Sequence, residues 1–139
     1  MLRVSSTLMP FALLATVAVG QPEQQDITFE SEGESLVGTL YFPEGDQDPL
    51  GVLVLGHGSD PSTRESGQFY LTKALELGFA AFSYDKRGCG ESGGEFVSFS
   101  VGTSEENFEL LANDMASAFE AVKSIEDINN DLIGFMGGS

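Results

Sequence analysis

The sequence is poor in the residues from which disulfide frameworks, zinc centres and nucleic-acid interfaces are built. It contains one cysteine, Cys89, and one histidine, His57, and it has no tryptophan. A single cysteine excludes an intrachain disulfide, and one His with one Cys does not supply the usual ligand set of zinc. Neither a metal nor another cofactor is therefore expected. Without disulfides, the fold must depend on a sizeable apolar core.

Basic residues are also scarce, and the balance of charge is strongly acidic. Six residues are Lys or Arg, 22 are Asp or Glu, and the formal net charge is −16. A field of this sign repels nucleic acid and anionic lipid, so neither is expected as a partner. The acidic residues are dispersed along the chain, which is typical of a strongly solvated surface.

The first twenty residues have the features of a secretory signal peptide. Arg3 supplies positive charge, residues 8–19 are mostly apolar, and Ala18 and Gly20 are the small residues of a cleavage site before Gln21. The apolar run is shorter than the roughly twenty residues needed to cross a bilayer. We therefore expect residues 1–20 to be removed and the rest to be secreted or periplasmic, without membrane association. An uncleaved membrane anchor is the alternative.

The pattern after the leader predicts five strands. The first two alternate in polarity around a turn at residues 32–34, as in an antiparallel hairpin. The later three are continuous apolar runs, which are typical of parallel strands buried on both faces. In chain order, the predicted strands are 26–31, 36–42, 51–57, 79–84 and 131–136.

Two helices are predicted between the later strands. Ser62 and Glu65 have the spacing of a capping box for the first helix, and Gly78 is placed to end it. Thr103 and Glu106 have the same spacing before a run in which apolar residues recur every three or four positions. A hairpin followed by alternating strands and helices predicts a single α/β domain, with a mostly parallel sheet and flanking helices.

Three motifs point to acyl-transfer chemistry. Gly137-Gly138-Ser139 follows the last apolar strand and matches the first half of G-x-S-x-G, in which a serine nucleophile sits on a sharp turn. His57-Gly58-Ser59 follows the first buried parallel strand, where such a fold takes a backbone N–H for its oxyanion hole. The third motif, Asp85-x-Arg87-Gly88-x-Gly90-x-Ser92, follows the next parallel strand.

These motifs, together with a Gly33-x-x-Leu36-x-Gly38 hairpin, resemble the N-terminal half of an α/β-hydrolase. The similar branch contains serine-aminopeptidase-like, dienelactone-hydrolase-like and acyl-thioesterase-like proteins, and the resemblance covers residues 27–139. It implies that Ser139 is the catalytic nucleophile and that the backbone N–H of Ser59 is one oxyanion donor. It also implies an ester, thioester or amide substrate, either a small molecule or a peptide, and an acyl-enzyme intermediate.

The same resemblance places the second oxyanion donor, the catalytic acid and the His base after Ser139, because the family order is Ser, acid, His. We therefore expect residues 21–139 to be the N-terminal part of a hydrolase domain, and the 139-residue chain to be an inactive fragment. His57 is then expected to shape the oxyanion loop rather than to act as the base, and Arg87 to tie loops together. Asp60, where relatives often have glycine, implies an acidic group beside the acyl pocket.

Two other hypotheses remain open. The first is a non-catalytic truncated relative or binding protein of the same fold. The second is a nucleotide-binding domain, because residues 88–93 also satisfy G-x-G-x-x-G. A dinucleotide fingerprint opens directly into a helix, however, and residues 95–101 do not begin like one.

Overall fold

A computed structural model of the protein describes residues 22–45, 48–49, 51–126 and 128–138. The predicted signal peptide and the predicted nucleophile, Ser139, lie outside these described residues. The structural statements below concern the described ranges alone.

Strands and helices alternate after an initial pair of strands, and each predicted strand is present with its ends within two residues of the prediction. Two helices are present as well. The elements are β1 (Gln24–Ser31), β2 (Glu34–Tyr41), β3 (Val52–Gly56), α1 (Gln68–Glu76), β4 (Ala80–Tyr84), α2 (Ser104–Lys123) and β5 (Ile133–Gly137).

The five strands form one sheet in the order β1-β2-β4-β3-β5. The hairpin of β1 and β2 is antiparallel, and so is the pairing of β2 with β4. β3 lies parallel to both β4 and β5. The predicted fold class is confirmed: an N-terminal hairpin leads into parallel strands with flanking helices, and the described sheet is mixed.

The two helices cover opposite faces of the sheet, because alternate residues of a strand point to opposite sides. Phe82 and Tyr84 of β4 pack in the same core as α2, whereas Ala81, which points to the other face, packs with α1. The α2 side holds the larger core. Its buried residues are Phe29, Leu36, Leu40, Val52, Val54, Ala80, Phe82, Tyr84, Ala118, Val122 and Ile128.

Helix α1 begins later than its predicted capping box. Gly67 is the N-cap residue and no side chain caps the helix, so the capping box at Ser62 and Glu65 was wrong. The Ser62 hydroxyl instead donates to the carbonyl of Asp60, 3.2 Å away. A serine that bonds within its own turn is not available to a helix. The predicted end is confirmed, since Gly78 follows the helix at φ +84°.

Helix α2 begins at the predicted place without the predicted capping bond. Thr103 is the N-cap residue, but its hydroxyl lies 2.7 Å from that of Ser100 and does not cap the helix. Glu105 and Glu106 in the first turn are favourably placed near the positive end of the helix dipole. Neither described helix has the length and apolar composition that a membrane span requires.

A buried ion pair fastens α2 to the loop after β4. Arg87 donates from Nε to Oδ2 of Asp114 (3.0 Å) and from Nη2 to Oδ1 (2.5 Å). Nη2 also donates to the carbonyl of Ser31, 2.9 Å away. Arg87 and Asp114 are 5% and 1% exposed. Arg87 was predicted to tie loops together; its contacts instead tie the loop after β4 to α2 and to the end of β1.

Replacement of Asp114 with Asn should destabilise the fold strongly. The variant keeps the shape of the side chain but leaves the Arg87 guanidinium buried without a counter-charge, which typically costs about 3–5 kcal/mol. Glu120→Gln is the matched control on the same helix, because Glu120 is exposed and, among the described residues, its one ion pair is with Lys123 at 3.6 Å. Urea unfolding of both variants measures the difference. A loss in Asp114→Asn no larger than that in Glu120→Gln would contradict the assignment.

Candidate active site at the carboxyl ends of the parallel strands

The carboxyl ends of β3, β4 and β5 meet at one edge of the sheet, because the three strands run in the same direction. The loop of residues 57–60 follows β3, the segment 85–94 follows β4, and Gly138 follows β5. In open α/β sheets, ligands bind at this edge. The structure therefore brings the three sequence motifs together, as far as Gly138.

A cavity of about 690 Å³ opens at this edge. Gly58 and Ser59 line it from the loop after β3, and Gly137 and Gly138 line it from the end of β5. Most of the remaining wall is apolar and comes from α2, β5 and the segment before α2. These residues are Phe99, Phe108, Leu111, Ala112, Met115, Ala116, Phe135 and Met136.

The glycines at the end of β5 are required by close packing. Gly137 lies opposite Gly56 of β3, and a Cβ added to Gly137 would be 2.8 Å from the Gly56 carbonyl oxygen. A Cβ on Gly138 would collide with the hydroxyl of Tyr70 on α1. The two residues before Ser139 are thus small because the neighbouring backbone and a tyrosine occupy the space of a side chain.

His57 is bonded to the adjacent strand. Its Nε2 donates to the carbonyl oxygen of Tyr84, 2.5 Å away, and its ring packs edge-on against the Tyr84 ring. Since a carbonyl only accepts, the hydrogen must be on Nε2. Burial lowers the pKa of His57; the bond to Tyr84 opposes this effect and the charge of Lys86 adds to it. The neutral ring holds the start of the loop against β4, as expected for a residue that shapes this loop.

Lys86 lies beneath the same loop. It is fully buried, and its Nζ lies within hydrogen-bond distance of three consecutive carbonyl oxygens. These are the carbonyls of Gly58 at 2.8 Å, Ser59 at 3.2 Å and Asp60 at 3.2 Å. Burial lowers the pKa of Lys86, and the nearby Cys89 and Asp60 oppose that effect. Sequence reasoning missed this residue; the available signal was a lysine between two residues of the motif after β4.

Asp85 fixes the backbone around Arg64 and Glu91 rather than lining the cavity. Its carboxylate accepts the backbone N–H groups of Arg64 and Glu91, each at 2.8 Å, and it also pairs with the Arg64 guanidinium at 3.3 Å. Asp85 is 2% exposed. A Cβ on Gly90 would collide with this carboxylate, which accounts for the glycine there. The Ser92 hydroxyl donates to the Asp85 carbonyl at 2.6 Å.

The glycine-rich segment does not have the geometry of a dinucleotide fingerprint. The N–H of Gly88 donates to the carbonyl of Gly93 at 2.9 Å, so the segment closes on itself as a turn. The next helix, α2, begins only at Ser104. A phosphate-binding fingerprint would open directly into a helix, so the nucleotide-binding hypothesis loses its structural basis.

Ser59 is exposed and lines the cavity. Its backbone N–H makes no hydrogen bond to another of the described residues. Asp60 is exposed, and it follows Ser59 without lining the cavity itself. Ser139 is outside the described residues, and Gly138 is the last residue of its motif that can be placed.

The lowered pKa of His57 predicts a loss of stability on acidification. Since the usual pKa of histidine is about 6.5 and the folded-state pKa is lower, the unfolded protein binds the proton first as the pH falls. The stabilisation from neutral His57 is complete above about pH 6.5 and is lost as the pH falls towards the lowered pKa.

His57→Gln is the matched variant, because its amide can still donate to Tyr84 but does not titrate. Melting temperatures of both proteins, measured between about pH 8 and 5, should diverge with the wild type losing more stability. A difference between the two proteins that stays constant with pH would show that His57 does not contribute in this way.

The chain was compared with protein-family models, curated proteins and solved structures. No protein-family model matches the chain, and no curated protein matches it. Solved structures do match. An esterase from Pyrococcus furiosus is 21% identical with a TM-score of 0.64; the match covers 84% of this chain and 42% of the esterase. An α/β-hydrolase from Penicillium is 23% identical with a TM-score of 0.61, covering 83% of this chain and 37% of that protein.

A dienelactone hydrolase-like promiscuous phosphotriesterase from metagenomic libraries is 16% identical with a TM-score of 0.56, and the match covers 85% of this chain and 49% of that one. The chain thus spans less than half the length of these three structures. At such identities the likeness establishes the fold and leaves the activity open. The described residues form part of an α/β-hydrolase fold.

Proposed function

We propose that the full-length protein is a serine hydrolase that cleaves an ester, thioester or amide through an acyl-enzyme on Ser139. One observation carries the proposal: Gly138, the residue before Ser139, lines the same cavity as Ser59 at the carboxyl ends of the parallel strands. A nucleophile and an oxyanion donor must reach the same carbonyl group, and this edge of the sheet is where such a fold presents both.

In the proposed reaction, Ser139 attacks the carbonyl carbon and the negative charge develops on its oxygen. The Ser59 N–H donates to that oxygen and stabilises the tetrahedral intermediate. The alcohol, thiol or amine then leaves, and water hydrolyses the acyl-enzyme. The mostly apolar cavity suits the hydrophobic part of an acyl substrate.

A serine hydroxyl is a weak nucleophile unless a base removes its proton. His57 is poorly suited to that role, because its Nε2 donates to the Tyr84 carbonyl. We therefore assign the base, the acid and the second oxyanion donor to parts of the full-length protein after Ser139. In this proposal the 139-residue chain by itself does not turn over substrate.

The proposed nucleophile can be tested in the full-length protein. Ser139→Ala should lower kcat for an activated ester on the order of 10⁶-fold, because no other group replaces the attacking oxygen. Ser59→Ala is the matched control and should change kcat only a few-fold, since it keeps the backbone N–H. A fluorophosphonate should label Ser139 in the wild type, as detected by peptide mass spectrometry.

Labelling at a different serine would overturn the assignment of the nucleophile. If a folded full-length protein shows neither labelling nor turnover, the hypothesis of a non-catalytic binding protein of the same fold is supported instead.

Export from the cytoplasm is proposed as well, on the basis of residues 1–20. Cleavage after Gly20 should give a mature protein that begins at Gln21 and has a net charge one unit more negative, because Arg3 is lost. N-terminal sequencing of the protein from the culture medium or the periplasm tests this. Protein that retains Met1 would favour the uncleaved anchor.

A further inference from the structure

The contacts of Lys86 fix the orientation of the loop that contains Ser59. Three consecutive carbonyl oxygens, from residues 58 to 60, converge on one ammonium group. In an irregular loop, no repeating backbone geometry makes consecutive carbonyls point to the same side. Here they converge because the three hydrogens of the ammonium are donated to three acceptors.

Peptide geometry converts this constraint on carbonyls into a constraint on N–H groups. The peptide bond is planar and trans, so the C=O of one residue and the N–H of the next point in opposite directions. No cis peptide is found among the described residues. Because the Gly58 carbonyl points to Lys86, the N–H of Ser59 points away from it. The Ser59 carbonyl orients the N–H of Asp60 in the same manner.

The ammonium also lies close to two aromatic rings. Its Nζ lies 5.1 Å from the centre of the Phe96 ring and 5.9 Å from that of Phe99, both within the range of cation–π attraction. No ion pair to Lys86 is present among the described residues, in contrast to Arg64 and Arg87. Burying a cation without an opposite charge is costly. The hydrogen bonds that offset this cost for Lys86 all go to carbonyls of the loop.

We propose that Lys86 is a positioning residue, which holds the loop of residues 57–60 so that the Ser59 N–H faces the reacting carbonyl. The inference rests on the proposed function, because that N–H is taken to be an oxyanion donor. Lys86 also lines the cavity, but the proposed effect acts through the peptide unit between Gly58 and Ser59. It orients the N–H before substrate binds, and this preorganisation is the property on which an oxyanion hole depends.

The test uses the full-length protein and the variant Lys86→Met, whose unbranched side chain retains the length and loses the donors. Lys73→Met on the exposed surface of α1 is the matched control. We expect kcat for an activated ester to fall about 10²-fold in Lys86→Met. KM should change only a few-fold, because the displaced donor acts mainly in the transition state. Lys73→Met should resemble the wild type.

A second measurement separates positioning from general structural support. A boronic acid forms a tetrahedral adduct with an active serine, whereas a product carboxylic acid binds without one. Lys86→Met should weaken boronate binding in parallel with kcat and leave product binding nearly unchanged. Ser59→Pro, which removes the N–H itself, sets the scale of the loss. A folded Lys86→Met protein with wild-type kcat and boronate affinity would overturn the inference, and so would an equal loss of affinity for both ligands.

If Lys86→Met does not fold, the wild type still decides the question. In protein labelled with ¹⁵N in lysine and ¹³C in the backbone carbonyls, NMR should detect hydrogen-bond couplings from Nζ of Lys86 to the carbonyl carbons of the loop, and these should be present before the boronate binds and persist in the complex. Absent couplings, or couplings that appear only when the boronate binds, would refute the inference. A wild type without labelling at Ser139 and without turnover would instead refute the proposed function, so the two failures are distinguishable.

Discussion

Three charged residues in succession, Asp85, Lys86 and Arg87, are buried at the end of β4, and each has different partners. The carboxylate takes the N–H groups of two loop residues, the ammonium takes three carbonyls of the loop after β3, and the guanidinium binds Asp114 of α2. A charge is costly to bury unless hydrogen bonds or an opposite charge replace the water that it loses. This segment can therefore adopt its place only when both loops and α2 are in theirs. The fold and the site thus depend on the same three residues.

The strands and their approximate ends could be predicted because they are apolar runs bounded by turn residues. The order of the strands in the sheet was not predictable from periodicity, which does not say which strands pair. The start of α1 could not be predicted from spacing alone. Ser62 and Glu65 match a capping box, but the serine bonds within the turn of residues 60–62, and the helix begins after Gly67. The Ser62 hydroxyl could either cap a helix or bond within its own turn, and the bond within the turn is the one that forms.

The candidate site, too, was predictable only in part. Its backbone positions were predictable, because His57, Ser59 and Gly138 follow strands directly. The ionic partners were not, because each pairing joins residues that are far apart in sequence, such as Arg87 with Asp114. Asp114 did carry a signal: it lies between Leu111 and Ala118 on the apolar side of α2, where a carboxylate requires a buried cation. For Lys86 no such pattern exists, since its acceptors are backbone carbonyls, which every residue has.

The strand order also determines when the site can be assembled as the chain is synthesised. β3 is made before both of its neighbours, β4 and β5, and its pairing with β5 joins Val52 to Ile133. Contacts across such a distance in sequence form late, after the intervening chain has left the ribosome. The loop after β3 receives its anchor only after α2 has been made as well, because the segment that holds Lys86 also needs Asp114 in place. The loop that contains the proposed oxyanion donor is thus fixed only after α2, and the strand that leads to the proposed nucleophile docks last.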